Sequence, residues 1–322
     1  MKEFVKPRVV VSKCLGFESC RYNGQIISSD EVKEMRDQID FITVCPESDI
    51  GLGVPRDPIR LVRDGEDKKL LQPNTGRDVT LEMKDFCANF LKEHWDVDGF
   101  ILKSRSPSCG LKETKIYAAI DGPAPVDRCA GFFGDAVLKY QPKKAIETEG
   151  RLRNYQIRDH FLTKIYTFSS FRDVKKSKDI DKLKEFHDHN RLLLKSYDEE
   201  MYEKLCKVFE EDSGIYDIYE EILYELFNMA PECESKIKIM DELFAGLKSH
   251  VEEDEIDFFE ASLEEYKEGN TSLNVPLSIL YTWVLRAKDP ELKNQTFFDP
   301  YPRELVRLED VKTCVVRDYW NF

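Results

Sequence analysis

No apolar run in this chain of 322 residues approaches the roughly 20 needed to span a bilayer. The opening stretch "MKEFVKPRVVVSKC" has too short an apolar segment for a secretory signal and no small-residue cleavage site. There is no internal repeat and no low-complexity tract. Excess positive charge is missing as well: the net charge of −14 argues against indiscriminate nucleic-acid binding, DNA included. With 41% hydrophobic and 34% charged residues the chain is not disordered either. These absences leave a soluble globular protein, expected in the cytoplasm and long enough for two cores.

What is present is cysteine, nine residues of it. In a reducing compartment such a count points to metal binding or catalysis before a disulfide framework. Cys87, Cys206, Cys233 and Cys314 lie in segments without loop signatures and read as packing residues. The others need a fold before they can be interpreted.

The first half alternates strand and helix signals. "RVVVS", "DFITV" and "DGFILKS" are short β-branched or apolar runs. The helical stretch "SSDEVKEMRDQI", with Ser29 or Asp30 as N-cap, and "TLEMKDFCANFLKEHW" lie between them. A β-α-β-α-β order predicts a Rossmann-like, doubly wound parallel sheet with right-handed crossovers. The second half is a series of amphipathic segments at helical spacing, from "NYQIRDHFLTKIYTF" to "NVPLSILYTWVLRA", which predicts an all-α domain. Composition and period change near residues 141–152, so the expected domains are 1–146 and 147–322. Charge changes too: residues 151–195 hold 12 basic and 6 acidic side chains, whereas 196–322 hold 13 and 31.

Cys14 follows "VVVSK", Cys45 follows "FITV", and Cys109 follows "FILKSRSPS". Loops at the carboxyl ends of parallel strands gather on one edge of the sheet, so three such cysteines converge where ligands bind. Thiolates there suit zinc or an iron–sulfur centre, and three protein ligands leave one metal position open. Cys20 is a candidate fourth ligand and Cys129 a weaker one. In "CPESDIGLGVPR", Glu47 falls at the edge of this pocket, where an apolar or anionic neighbour would raise its pKa into acid–base range. Ser106 and Ser108 put hydroxyls beside Cys109. Arg21 and Tyr22 in "SCRYNG" offer a cation and an aromatic face to a planar polar ligand. Each of these is also compatible with an ordinary structural role.

"SKCLGFESCRYNG", "CPESDIGLGVPR" and "KSRSPSCG" resemble the three signature loops of the thiouracil desulfidase family, over roughly residues 7–145. The resemblance implies a [4Fe-4S] cluster on Cys14, Cys45 and Cys109, with an open iron that binds the thiocarbonyl sulfur of a thiopyrimidine. It maps Cys20 to a position that is not a ligand. Glu47, Ser106 and Ser108 then become the catalytic candidates, and Arg21, Tyr22 and Arg56 the substrate-binding ones. "EGRLRNYQIRDHF", "LKEFHDHNRLLLKSY" and "NQTFFDPYPREL" resemble a helical domain fused to this desulfidase domain in bacterial enzymes that act on 4-thiouridine in transfer RNA.

That second resemblance implies a tRNA substrate. The expected phosphate contacts are Arg151, Arg153, Arg158, Lys164, Arg172, Lys175 and Lys176. His187 and His189 stand two apart on a helix and do not share a face, so they are not read as a metal site. Two alternatives stay open: a desulfidase of free thiopyrimidines such as 2-thiouracil, and a non-catalytic RNA-binding protein with zinc on Cys14, Cys20, Cys45 and Cys109.

Overall fold

The computed structural model describes residues 3–229 and 231–306. It divides into two compact units, one from Lys6 to Asn154 and one from Tyr155 onward that also takes residues 3–5. Cys314 lies outside the described residues.

The first unit contains β1 (Arg8–Ser12), α1 (Asp30–Glu34), β2 (Asp40–Val44), α2 (Pro46–Asp49), β3 (Arg60–Asp64), β4 (Asp67–Leu71) and α3 (Thr80–Glu93). It continues with β5 (Gly99–Leu102), β6 (Thr114–Tyr117), β7 (Pro125–Cys129), α4 (Phe132–Tyr140) and β8 (Ala145–Thr148). Four strands form a wholly parallel sheet in the order β2-β1-β5-β8. All four residues of β5, "GFIL", are buried, as expected of an inner strand covered on both faces. The strand order changes direction at β1, so right-handed crossovers put α1 on one face and α3 and α4 on the other. α3 and α4 pack against each other, over a core that includes Met83, Leu91, Phe100, Phe133 and Val137.

The doubly wound sheet matches the expectation from sequence. The second sheet has no counterpart in that reading: β4-β3-β6-β7, with a parallel β3–β6 pair between two antiparallel ones. Its strands are short and mix polar with apolar residues ("DKKLL", "PVDRC"), so no alternation stands out. α1 is also shorter than its periodicity suggested. Ser29 caps it by accepting from the Val32 amide, and regular helix ends at Glu34.

The second unit is helical: α5 (Tyr155–Ser177), α6 (Ile180–Tyr197), α7 (Glu199–Lys207), α8 (Ile215–Phe227), α9 (Cys233–Leu247), α10 (Glu253–Glu268), α11 (Asn274–Ala287) and α12 (Pro290–Lys293). Asp179 and Asp198 cap α6 and α7 with their carboxylates, and Glu252 and Glu255 form a capping box on α10. α5 departs from its expected amphipathic pattern. It is buried nearly all round between Ile157 and Phe171.

Candidate active site at the sheet switch point

The carboxyl ends of β1, β2, β5 and β8 open onto one cavity of about 720 Å³. Its wall includes Cys14, Cys20, Cys45 and Cys109, so the three strand-end cysteines do converge, and Cys20 joins them. The location, beside the point where strand order reverses, is where open α/β sheets bind ligands. Cys129, at the end of β7, is not part of this wall.

Each cysteine is held by identifiable contacts. The Cys20 carbonyl accepts from the Cys45 thiol at 3.7 Å, and the Cys20 thiol pKa is pushed up to about 11, first by the neighbouring Cys14. Cys45 is the N-cap of α2; its sulfur accepts from Ser48 Oγ at 3.3 Å. The neighbouring Cys20, then burial, raises the Cys45 thiol far above the ordinary range. Burial pushes Cys109 up to about 12, against an opposing hydrogen bond from Ser12. Cys20, Cys45 and Cys109 are thereby held as neutral thiols, and a thiol that ligates a metal gives up its proton.

The Cys109 loop is built from several directions. Arg105 takes a left-handed φ of 60°, uncommon for a residue with a side chain. Ser106 Oγ accepts from the amides of Ser108 (3.3 Å) and Cys109 (3.1 Å), and Thr114 Oγ1 donates to the Ser106 carbonyl. The first amides of α4 then hold the outer side of the loop: Phe132 N–H donates to Pro107 O, and Phe133 and Gly134 N–H both donate to Ser108 O. This approach is possible only with glycine. A Cβ on Gly131 would lie 2.6 Å from Ser108 O, and one on Gly134 would lie 2.2 Å from Gly110 O. The sequence reading missed both; their only signal is the spacing in "GFFG", right after the end of β7.

Glu47 lies on α2, in the same wall. Its Oε1 accepts from Ser108 Oγ at 2.8 Å, and Ser108 Oγ is 2.9 Å from Ser106 Oγ. Its Oε2 accepts from Arg56 Nη2 at 2.7 Å and Nε at 3.0 Å. The charged neighbour of Glu47 is therefore a cation, not the apolar or anionic environment expected from sequence. Arg56 lines the same wall. Its side chain is only 3% exposed, and Nη1 also donates to the carbonyls of Cys20 and Gly53 at 2.9 Å. These contacts let Arg56 hold Glu47 and the Cys20 loop in place at the cavity wall. Arg21 and Tyr22 do line the cavity, with the guanidinium 5.5 Å from the ring centre.

A further group at the wall was not foreseen. Glu149 follows β8 and is buried; it accepts from Lys103 Nζ, Ser104 Oγ and the Ser104 amide. β8 has only four residues, "AIET", so its end carried no strand signal.

Of the basic residues assigned to RNA phosphates, Arg151 and Arg153 line this cavity, and the other five lie on α5 in the helical unit. Arg151 and Arg153 belong to the α/β unit, where Arg151 pairs with Glu147 at 2.7 Å and Arg153 with Glu31 at 3.5 Å. Arg158 is 2% exposed and Lys164 7%, the latter donating to Asn228 Oδ1. The Arg172 side chain is mostly buried, and Lys175 pairs with both Asp217 (2.6 Å) and Glu220 (2.7 Å). Lys176 is exposed. On α5, Arg158, Lys164 and most of Arg172 are buried and Lys175 is ion-paired, whereas Arg151 and Arg153 stand at the cavity.

The donor set can be tested against the groups considered. All the metal-ligating candidates at the wall are sulfur, and soft thiolates suit iron–sulfur centres, zinc or cuprous copper. A single zinc ion needs its ligands within about 2.3 Å of one point. Among the described residues no three His, Cys, Asp or Glu side chains are drawn together in that way. A roomy cavity with thiols on separate loops fits a polynuclear cluster better. Among the described residues, no helix is long and apolar enough to cross a membrane.

Comparison with known proteins gives matches for both units. Residues 9–149 match the 2-thiouracil desulfurase family, and residues 191–302 match a family described as protein of unknown function (DUF1722). The uncharacterized protein YbbK of Bacillus subtilis (strain 168) is 33% identical over 109 residues, covering 32% of this chain and 72% of YbbK. Among solved structures, the [4Fe-4S]-dependent thiouracil desulfidase TudS is 29% identical, over 46% of this chain and 94% of its own, with a TM-score of 0.36.

Proposed function

Because this chain belongs to the 2-thiouracil desulfurase family, we propose that it removes sulfur from a free thiolated pyrimidine, thiocarbonyl plus water giving carbonyl plus hydrosulfide. The observation that carries this reading is the convergence of Cys14, Cys45 and Cys109 on one cavity with the hydrogen-bonded chain Arg56–Glu47–Ser108–Ser106. Those three cysteines would hold a [4Fe-4S] cluster. When bound, the cluster supplies a Lewis-acidic iron for the thiocarbonyl sulfur.

The remaining chemistry belongs to side chains. Arg56 occupies Oε2 of Glu47 with two N–H donors, which leaves Oε1 as the oxygen able to take a proton. Ser108 Oγ, 2.8 Å away, passes its own proton to Oε1 while it accepts another from water or from Ser106. The same path returns the proton to a ring nitrogen as the C–S bond breaks. Tyr22 offers a flat face to the pyrimidine and Arg21 a donor to its exocyclic oxygen, and both fit a planar heterocycle. The cavity lies within the 300–1,000 Å³ range of small-molecule sites.

A tRNA substrate is the weaker reading, since most of the cations meant to hold its phosphates are buried or ion-paired. The test is anaerobic. Protein reconstituted with iron and sulfide is mixed with 2-thiouracil, 4-thiouracil or thiolated bulk tRNA, and thiocarbonyl absorbance and sulfide release are followed. Turnover of the free bases is the expected result. Turnover of tRNA alone would reverse the choice of substrate, and zinc without iron and without turnover would remove the desulfidase reading.

A further inference from the structure

The helical unit holds its own cluster of reactive side chains, made of residues other than those of the cysteine cavity. Cys206 lies near the end of α7 and is an exposed residue, not packed as its sequence context suggested. Its Sγ is 3.5 Å from Nε2 of His187 on α6, and Nδ1 of the same ring is 3.1 Å from the hydroxyl of Tyr219 on α8. Tyr202, one turn before Cys206, stacks on the imidazole at 5.2 Å and 11°. Phe209 closes another edge of the imidazole at 5.2 Å.

This is a nucleophile, a base within reach of it, and a group that orients the base, drawn from three helices. His187 is buried, and burial lowers its pKa, so the ring is neutral near pH 7 with a lone pair to offer. When Nδ1–H donates to the Tyr219 oxygen, that lone pair lies on Nε2 and faces the thiol. The aromatic rings around the imidazole restrict it to this orientation. A packing cysteine would need none of these polar neighbours.

We propose that Cys206 is a thiol–disulfide exchange site for low-molecular-weight disulfides, with His187 as its base and Tyr219 positioning that base. In the step, the Sγ–H bond breaks as His187 Nε2 takes the proton, and Sγ bonds to one sulfur of the incoming disulfide. The disulfide S–S bond breaks, and its other sulfur leaves as a thiolate that takes the proton from His187. The Cys206 sulfur is oxidised and the leaving sulfur is reduced, so no further reactant is required. This site does not depend on the desulfurase reading.

The experiment exposes the cluster-loaded full chain to oxidised glutathione under anaerobic conditions and follows the glutathionyl adduct at each cysteine by peptide mass spectrometry. The Cys206 adduct is expected to form at least about tenfold faster in the native chain than in His187→Gln or in an unstructured peptide of the same sequence. Tyr219→Phe, which removes one hydroxyl and keeps the ring, is expected to slow it several-fold. That variant decides the matter if His187→Gln does not fold. Cys206→Ser is expected to abolish this adduct while leaving iron content and sulfide release unchanged. Equal Cys206 rates in the native chain, Tyr219→Phe and the peptide would overturn the proposal, as would an adduct that forms first at another cysteine.

Discussion

In the α/β unit, Glu47, Arg56, Lys103 and Glu149 meet in hydrogen-bonded groups at the wall of a cavity, beside four thiols. In the helical unit, Lys164 is buried against Asn228 and Lys175 is held by Asp217 and Glu220. Both units give buried charged side chains polar partners, as the penalty for desolvating an ion demands. The difference is what the pairing leaves available. In the first it fixes one carboxylate oxygen and leaves the other facing a hydroxyl chain and a cavity. In the second the cations are consumed by packing. A basic stretch of sequence is therefore a poor guide to a phosphate site until its helix is known to face solvent.

The contrast can be broken most severely at the thiols. Cys14→Ala, Cys45→Ala or Cys109→Ala is expected to remove both bound iron and sulfide release, whereas Cys129→Ala, outside the cavity wall, should leave both intact. Iron and acid-labile sulfide analysis beside a turnover assay checks this. Retention of full iron by any of the three would take that residue out of the ligand set.

Next comes the carboxylate. Glu47→Gln should keep the iron and lose roughly 10²–10⁴-fold in turnover, the usual contribution of a positioned acid–base group. Arg56→Lys, which cannot donate twice to Oε2, should lose less, about 1.5–3 kcal/mol of transition-state stabilisation, and mainly in kcat. If Arg56→Lys instead raised KM with kcat unchanged, Arg56 would be a substrate contact after all.

A smaller effect is expected under the Cys109 loop. Gly134→Ala places a methyl 2.2 Å from the Gly110 carbonyl, so α4 or the loop must shift. The α/β unit should lose about 1–3 kcal/mol of stability in a denaturant titration, with a lower iron content. Gly246→Ala, whose Cβ meets nothing within 4 Å, is the matched control in the helical unit.

The mildest test uses acid. His160 is buried beside the Tyr197 hydroxyl, and burial depresses its pKa well below 6.5. The unfolded chain then binds more protons than the folded one below about pH 6.5, so stability is complete above that pH and falls as the pH drops through it. The slope is at most about 1.4 kcal/mol per pH unit for this residue. Circular dichroism melts between pH 7.5 and 5.5 should show the helical unit losing stability. His160→Gln should flatten that dependence.

Much of the α/β unit was legible in the chain. β5 reads as buried because all its residues are apolar, and the loops after β1, β2 and β5 can be placed together because parallel strands with helical crossovers share one edge. Ser29 was visible as a cap because a hydroxyl before "DEV" has an amide to accept. Short mixed strands such as β4 and β8 were not visible, since four or five residues with no clean period carry too little signal. The burial of α5 was hidden for another reason: a helix buried nearly all round still carries Arg158 and Lys164, and the partner of Lys164, Asn228, lies far along the chain.

Sequence alone thus determined the periodicities, the alternation that makes a doubly wound sheet, and the convergence of Cys14, Cys45 and Cys109, because each follows from local order and chain direction. Tertiary structure alone decided that Arg56 grips Glu47, that Gly131 and Gly134 bring α4 against the Cys109 loop, and that His187 reaches Cys206. Those depend on distances between groups far apart or on separate elements, and such distances are set only when the cores close.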